Sequence, residues 1–175
     1  ASSMLDVIAL RVDKHETLEM FASNSSVPVI NALSDLSHPC QILADLMTFK
    51  ENSANELEKV CWIGDGNNVC NSYVEASKIL DFELSIYCPK EYSPDPSFLN
   101  YAKENSSFAN SREEAAKGAD IITTDVWVSM GDEKTKERAF EGYFVDTDLI
   151  ENTGKKSIFL HCLPAHRGQE ITFEL

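Results

Sequence analysis

The run Phe159–His166 places a histidine and a cysteine side by side, directly after an apolar stretch that predicts a short buried strand. A histidine and a cysteine, here His161 and Cys162, can supply a nucleophile, a metal ligand or a group that orients a substrate. Pro164 then stops regular structure. Open α/β folds usually place their chemistry at the C-terminal ends of parallel strands, which is the position predicted for this pair.

The sequence argues against two of these three roles, the nucleophile and the metal ligand. A hydrolase nucleophile usually lies on a strand-to-helix elbow such as GxSxG, and the sequence has no such elbow. Zinc needs three or four ligands, whereas His161, Cys162 and His166 offer at most three, without a second cluster elsewhere. The sequence therefore favours an orienting role for Cys162 and predicts no metal site.

A second segment whose residue types suit binding or catalysis surrounds a predicted helix start. His38 and Gln41 are three residues apart, and Pro39 between them suits the first position of a helix. Both side chains would lie on one face of the first turn, where free backbone N–H groups suit a carbonyl or a phosphate. The alternative is that His38 only caps the helix and that Gln41 is solvated.

A third segment, Gly64–Asn68, joins a predicted strand to a predicted helix through a turn with two glycines. It resembles a nucleotide-binding turn but lacks the GxGxxG spacing. Asn67 and Asn68 can cap the helix, or they can bind a carboxylate or an amine. A dinucleotide-binding module therefore stays open as an alternative.

The remaining candidates also follow predicted strands. Asp125 suits an ammonium group, and Ser129 with the backbone around Met130 suits a carboxylate, unless Asp125–Gly131 is an ordinary loop. Arg11 ends the first strand and suits a phosphate or a carbonyl, unless it forms a surface ion pair. We expect one parallel sheet to gather all these strand ends at one edge.

The elements that must position these groups alternate along the chain. Strands are predicted over residues 5–11, 28–30, 59–63, 83–88, 119–124 and 157–161, and helices over 14–23, 39–52, 69–80, 96–105, 112–117, 133–140 and 147–151. This alternation predicts an α/β fold, a three-layer domain with a parallel sheet and helices on both faces. We expect residues 1–37 to complete one domain and residues 38–175 to form a second.

Composition excludes several classes of function. The 175 residues carry a net charge of −14, which argues against a nucleic-acid partner. No apolar run approaches the ~20 residues of a membrane span, so no membrane partner is expected. The five cysteines are odd in number and lack CxxC spacing, which indicates reduced thiols in a cytoplasmic protein.

Four blocks carry a resemblance to the ornithine carbamoyltransferases, in the order Ser34–Gln41, Gly64–Asn68, Asp125–Gly131 and His161–Pro164. The resemblance implies transfer of a carbamoyl group from carbamoyl phosphate to the side-chain amine of L-ornithine, without a cofactor, in arginine metabolism. It implies that carbamoyl phosphate is held by Arg11, His38, Gln41, Cys162 and Leu163. It implies that ornithine is held by Asn68, Asp125, Ser129, Met130 and Leu33.

The resemblance also implies catalytic roles for Arg11, His38, Asp125 and Cys162, in which Asp125 and a Cys162 thiolate orient the amine and help its proton leave. The full-length protein is expected to be a homotrimer. The chain lacks the family's Ser-Thr-Arg-Thr phosphate loop, so we expect residues 1–37 to be a remnant of the carbamoyl-phosphate domain and the fragment alone to be inactive. A carbamoyltransferase for putrescine or N-acetylornithine and a non-catalytic homologue are the alternatives.

Overall fold

The computed structural model describes residues 4–129 and 134–175. Its strands are β1 (Ile8–Arg11), β2 (Val29–Leu33), β3 (Lys59–Ile63), β4 (Glu83–Tyr87), β5 (Ser106–Phe108), β6 (Ile121–Thr124) and β7 (Ile158–His161). Its α-helices are α1 (His15–Ser23), α2 (Pro39–Asn52), α3 (Asn68–Leu80), α4 (Pro96–Tyr101), α5 (Arg112–Ala116) and α6 (Thr147–Glu151). Two 3₁₀ helices cover Lys90–Tyr92 and Lys134–Phe140.

The strands form two parallel sheets. The larger has the order β5-β4-β3-β6-β7, and the smaller pairs β1 with β2. Along β3, Val60 and Trp62 pack in one apolar cluster with residues of α2 and α3, whereas Cys61 and Ile63 pack in the other with residues of α5 and α6. Because successive side chains of a strand point to opposite faces, each face of the large sheet is covered by helices. The predicted three-layer α/β fold is confirmed.

The structure corrects three details of the prediction. The helix expected over 96–105 ends at Tyr101, and the chain then forms β5, which was not predicted. A polar edge strand of three residues is too short to show period-two alternation. The described part of the segment expected to be a helix over 133–140 is a 3₁₀ helix.

The third correction concerns Arg11, which was expected on the same sheet edge as the other candidates. Arg11 ends β1 and therefore belongs to the small sheet, whose register shifts at this residue. Its charge acts on His38 and Cys162 from this separate sheet, and not through strand pairing with the large sheet.

Within the described residues, every helix is too short or too polar to cross a lipid bilayer.

Candidate active site

Three of the predicted segments meet at one edge of the large sheet. β6 lies between β3 and β7, and all three strands run parallel. The turn after β3, the loop that begins at Asp125 after β6 and the Cys162 turn after β7 therefore emerge side by side. The start of α2 approaches them, because Cys162 Sγ lies 3.7 Å from Gln41 Oε1. The expected gathering of strand ends is confirmed for these segments.

The turn after β3 is built by a buried aromatic side chain and a close backbone contact. Trp62 is fully buried, and its indole N–H donates to the carbonyl oxygen of Asp65 at 2.9 Å. Gly66 N–H donates to the carbonyl oxygen of Tyr92 at 2.8 Å. A Cβ on Gly66 would lie 2.3 Å from the backbone nitrogen of Pro94, so only glycine fits. The backbone of residues 92–94 thus covers the turn that resembled a nucleotide-binding loop.

Asn67 connects this turn to Asp125. Its Oδ1 accepts hydrogen bonds from the N–H groups of Val69 and Cys70 and so caps α3. Its Nδ2 donates to Asp125 Oδ2 at 2.8 Å. One side chain therefore fixes both the start of α3 and the position of the carboxylate. Its contact with Asp125 was not predicted, because it joins residues 58 apart.

The Asp125 carboxylate is buried and hydrogen-bonded. Its Oδ1 accepts from the N–H of Val126 at 2.9 Å, beside the bond from Asn67. Burial raises the pKa of Asp125, and these two hydrogen bonds and the nearby His161 act in the opposite direction. Such a carboxylate gains strongly from a cationic ligand, because an ammonium group would replace the lost hydration.

The His38 side chain does not cap α2. Its backbone N–H donates to Ser72 Oγ at 2.7 Å, while the imidazole makes no cap hydrogen bond. Among the described residues, His38 Nδ1 is a buried atom without a hydrogen-bond partner. Burial and the charge of Arg11 lower the pKa of His38, and Asp125 opposes them. The imidazole is therefore favoured in its neutral form, and the side chain is not used to cap the helix.

The Cys162 thiol is half-buried at the end of β7. Burial and the carboxylates of Asp125 and Asp45 raise its pKa to about 12, although Arg11 acts in the opposite direction. The group is therefore a neutral thiol near neutral pH. Burial and two carboxylates disfavour the Cys162 thiolate that the resemblance implies, and the role of Cys162 toward the amine stays a prediction.

The structure describes all but one of the other residues that were predicted to bind a ligand. Asn68 Nδ2 donates to the carbonyl oxygen of Ser34 at 2.7 Å and so ties α3 to the chain after β2. Leu33 and Ser129 are half-buried, and Leu163 is exposed with φ of 55°. Met130 lies outside the described residues. The ligand-binding roles of these residues stay predictions.

A buried glutamate beneath the Cys162 turn was missed by the sequence analysis. Glu170 is fully buried, and its Oε1 accepts from His161 Nε2 at 3.1 Å and from the N–H of His166. His161 Nδ1 accepts from the N–H of Leu163 at 2.8 Å, so Nε2 carries the ring proton. His161 is therefore a structural link between Glu170 and the turn. No sequence motif marks this link, since Glu170 follows the apolar strand by nine residues.

Replacing Glu170 by leucine is expected to destabilise the protein by about 3 kcal/mol, because two buried donors lose their acceptor. Urea unfolding followed by tryptophan fluorescence measures the loss. Glu170→Gln is the matched control: it keeps an acceptor oxygen, so we expect less than half of that loss. Equal losses for both variants would show that the carboxylate charge, and not the two hydrogen bonds, stabilises the turn.

A second missed contact holds the 3₁₀ helix Lys134–Phe140. Lys136 Nζ lies 2.6 Å from Asp65 Oδ2, and both side chains are largely buried, with 13% and 7% exposed. The same ammonium group lies 5.0 Å from the centre of the Tyr92 ring. The 3₁₀ helix that contains Lys136 is thereby tied to the turn after β3.

Comparison with known proteins assigns the chain to a family. The sequence model described as "Aspartate/ornithine carbamoyltransferase, Asp/Orn binding domain" matches residues 57–175, and the one described as "Aspartate/ornithine carbamoyltransferase, carbamoyl-P binding domain" matches residues 1–51. The chain belongs to the aspartate/ornithine carbamoyltransferase family. The resemblance inferred from the four sequence blocks is confirmed.

Individual members of this carbamoyltransferase family align over nearly the whole chain. An ornithine carbamoyltransferase of Ruthia magnifica is 44% identical over 175 residues, which are 98% of this chain and 58% of that protein. One of Acinetobacter baumannii is 49% identical over 98% of this chain and 57% of its own length. The chain therefore spans a little over half the length of these curated relatives.

Solved carbamoyltransferase structures show the same fold. An ornithine carbamoyltransferase from Thermus thermophilus matches with a TM-score of 0.87 and 42% identity, over 99% of this chain and 58% of the solved one. An anabolic ornithine carbamoyltransferase from Campylobacter jejuni matches with a TM-score of 0.91 and 42% identity, over 99% and 61%.

Proposed function

We propose that the full-length protein transfers the carbamoyl group of carbamoyl phosphate to the side-chain amine of L-ornithine, giving L-citrulline and phosphate. One observation carries the proposal: a neutral thiol, a side-chain amide and a buried carboxylate meet where β6 and β7 end against α2. These groups are Cys162, Gln41 and Asp125. The ornithine carbamoyltransferases that align over 98% of the chain support it.

The carbamoyl phosphate end of the site would be formed by Arg11, His38 and Gln41. In a chain with a net charge of −14, an anionic substrate needs a local positive group, and the Arg11 charge acts on both His38 and Cys162. The guanidinium group would stabilise negative charge on the leaving phosphate. The neutral His38 ring would donate to the carbonyl oxygen as charge develops there. Leu163 would lie beside Cys162 near the carbamoyl group.

The ornithine end would be formed by Asp125, with Asn68, Ser129, Met130 and Leu33 around it. The attacking amine must be neutral, although its reference pKa resembles that of lysine, ~10.4. Its nitrogen bonds to the carbonyl carbon, the bond from that carbon to the phosphate oxygen breaks, and the departing phosphate takes up the proton that the amine loses. Asp125 would orient the amino acid, and Cys162 would orient the reacting groups as a thiol and not as a base.

The domain boundary, the assembly and the location belong to the same proposal. Residues 1–37 would complete the carbamoyl-phosphate-binding domain, whose family model extends further to residue 51, and residues 38–175 would form the ornithine-binding domain. The full-length protein would be a homotrimer in the cytoplasm. The cysteines of the chain are all free thiols, which supports a reducing compartment.

Citrulline formation by the purified full-length protein tests the function. We expect turnover with carbamoyl phosphate and ornithine, and a kcat/KM at least about 10²-fold lower with putrescine or N-acetylornithine, because each lacks a charged group that the site would pair. No citrulline, or a preference for another amine, would overturn the proposal.

Cys162→Ser in the full-length protein is expected to lower kcat/KM for ornithine about 30-fold while the Kd of carbamoyl phosphate changes less than about threefold, because the thiol is close enough to Asp125 for that carboxylate to raise its pKa. Steady-state kinetics and calorimetry measure the two quantities. Cys40→Ser is the control, since that thiol donates to the carbonyl oxygen of Asn31 instead. Similar losses for both substrates would contradict the proposal that Cys162 acts mainly by orienting the attacking amine.

A further inference from the structure

A buried carboxylate that neither the sequence motifs nor the proposed mechanism uses lies behind the Gln41 side chain. Asp45 is one helical turn after Gln41 on α2, and only 7% of the residue is exposed. Its Oδ1 accepts from Gln41 Nε2 at 2.9 Å, and its Oδ2 accepts from the hydroxyl of Tyr73 at 2.7 Å. Tyr73 itself is fully buried in the core between α3 and the sheet.

These contacts decide which end of the Gln41 amide faces the site. A carboxylate only accepts hydrogen bonds, so the end of the amide that meets Asp45 must be the NH₂ group. The carbonyl oxygen then points the other way, and it lies 3.7 Å from Cys162 Sγ. The thiol can only satisfy this oxygen by donating its proton. A chain of hydrogen bonds therefore runs from Tyr73 through Asp45 and Gln41 to Cys162.

We propose that Asp45 is a positioning residue that holds the Gln41 amide with its oxygen toward the reacting groups and so keeps Cys162 as a hydrogen-bond donor. The carboxylate touches neither proposed substrate, and it acts through Gln41. Without it, the amide is free to rotate by half a turn and to present N–H to the sulfur. The amide oxygen would then be lost from the point where the proposed carbamoyl group lies.

The charged groups around the thiol agree with this assignment. Asp125 and Asp45 both raise the pKa of Cys162, and Arg11 lowers it. Burial and Asp45 likewise raise the pKa of Tyr73, so the phenol keeps its proton and donates to the carboxylate. The effect of Asp45 on the thiol therefore has two parts, its charge and its control of the Gln41 amide, which an experiment must separate.

A double-mutant cycle on the full-length protein separates them. The rate of Cys162 alkylation by iodoacetamide is measured without substrates, by peptide mass spectrometry, for the wild type, Asp45→Leu, Gln41→Met and the double variant. The rate at fixed pH reports the thiolate fraction. We expect Asp45→Leu to raise it about tenfold when Gln41 is present, but about threefold or less in the Gln41→Met background, where only the charge is removed.

Tyr73→Phe is the matched control, because it removes the other hydrogen bond of the same carboxylate and leaves the bond to Gln41. We expect its alkylation rate to stay within about twofold of the wild type. Asp45→Ala, which also removes the acceptor of the Gln41 amide, replaces Asp45→Leu in the same cycle if that variant does not fold. The proposal would be overturned if removing Asp45 changed the rate of Cys162 alkylation by the same factor in both backgrounds. It would also be overturned if removing Asp45 left that rate unchanged.

The catalytic consequence rests on the proposed function, and it is measured separately. In the citrulline assay, Asp45→Leu is expected to lower kcat/KM for carbamoyl phosphate about tenfold, with a smaller effect in the Gln41→Met background. A protein that forms no citrulline but shows the coupled alkylation rates would contradict the function and support the positioning role. An active enzyme without that coupling would contradict only the positioning role.

Discussion

Asp125→Asn in the full-length protein is expected to lower kcat/KM for ornithine about 10³-fold, equivalent to about 4 kcal/mol, while KM for carbamoyl phosphate changes less than about threefold. The carboxylate is buried and already holds hydrogen bonds from Asn67 and Val126. An amide of the same shape keeps most of the packing but removes the charge that would pair with the amino acid. Steady-state kinetics with each substrate varied in turn measure the difference.

Asp120→Asn is the control for this experiment, since the two aspartates flank the same strand. Asp120 precedes β6 at the opposite edge of the sheet, is equally buried and pairs with Lys155 at 3.0 Å. We expect it to lower stability and to leave both KM values of the folded protein unchanged. A comparable loss of kcat/KM in both variants would mean that Asp125 matters for the sheet and not for the substrate.

Gly66→Ala is expected to destabilise the protein by about 3 kcal/mol or more, or to prevent folding. The added methyl group would lie 2.3 Å from Pro94 N and 2.4 Å from Tyr92 O, and both are backbone atoms that cannot move alone. The segment 92–94 would have to shift, and Asn67 with it. Urea unfolding measures the loss of stability, and citrulline formation by the folded fraction measures the displacement of Asn67 from Asp125.

Gly118→Ala separates steric overlap from backbone strain. Gly118 has a φ of 73° but nothing within 4 Å of an added Cβ, so only the strain of the left-handed conformation opposes the change. We expect a loss of about 1 kcal/mol and unchanged activity. If the two variants lost the same stability, the contact of residues 92–94 with Gly66 would not constrain the turn.

Elements that carry a strong local sequence signal were predicted accurately. An element that forms only through contacts with distant residues was not predicted. The helix starting at Pro39 and the strand Lys59–Ile63 begin and end where they were expected, because a proline at the first helical position and a continuous apolar run are local signals. The edge strand Ser106–Phe108 carries no such signal. Its hydrogen bonds to β4, and not its own residues, make it a strand.

The same distinction holds within the candidate site. His38, Gln41, Asp125 and Cys162 were proposed because each lies at a helix start or just after a strand end. Asn67 was noticed at a helix start, but its contact with Asp125 was not predicted. Asp45 and Glu170 were missed because a buried carboxylate in a helix or a loop resembles a surface residue until its partners are known.

The sequence by itself determined the fold class, the family and the strand ends at which a site is proposed, because hydrophobic periodicity and turn chemistry act over a few neighbouring residues. The tertiary structure alone decided that Arg11 lies on a separate sheet, that Asn67 holds Asp125, and that burial and two carboxylates disfavour a Cys162 thiolate. These properties depend on burial and on charges from residues far apart in the chain, which only packing brings together.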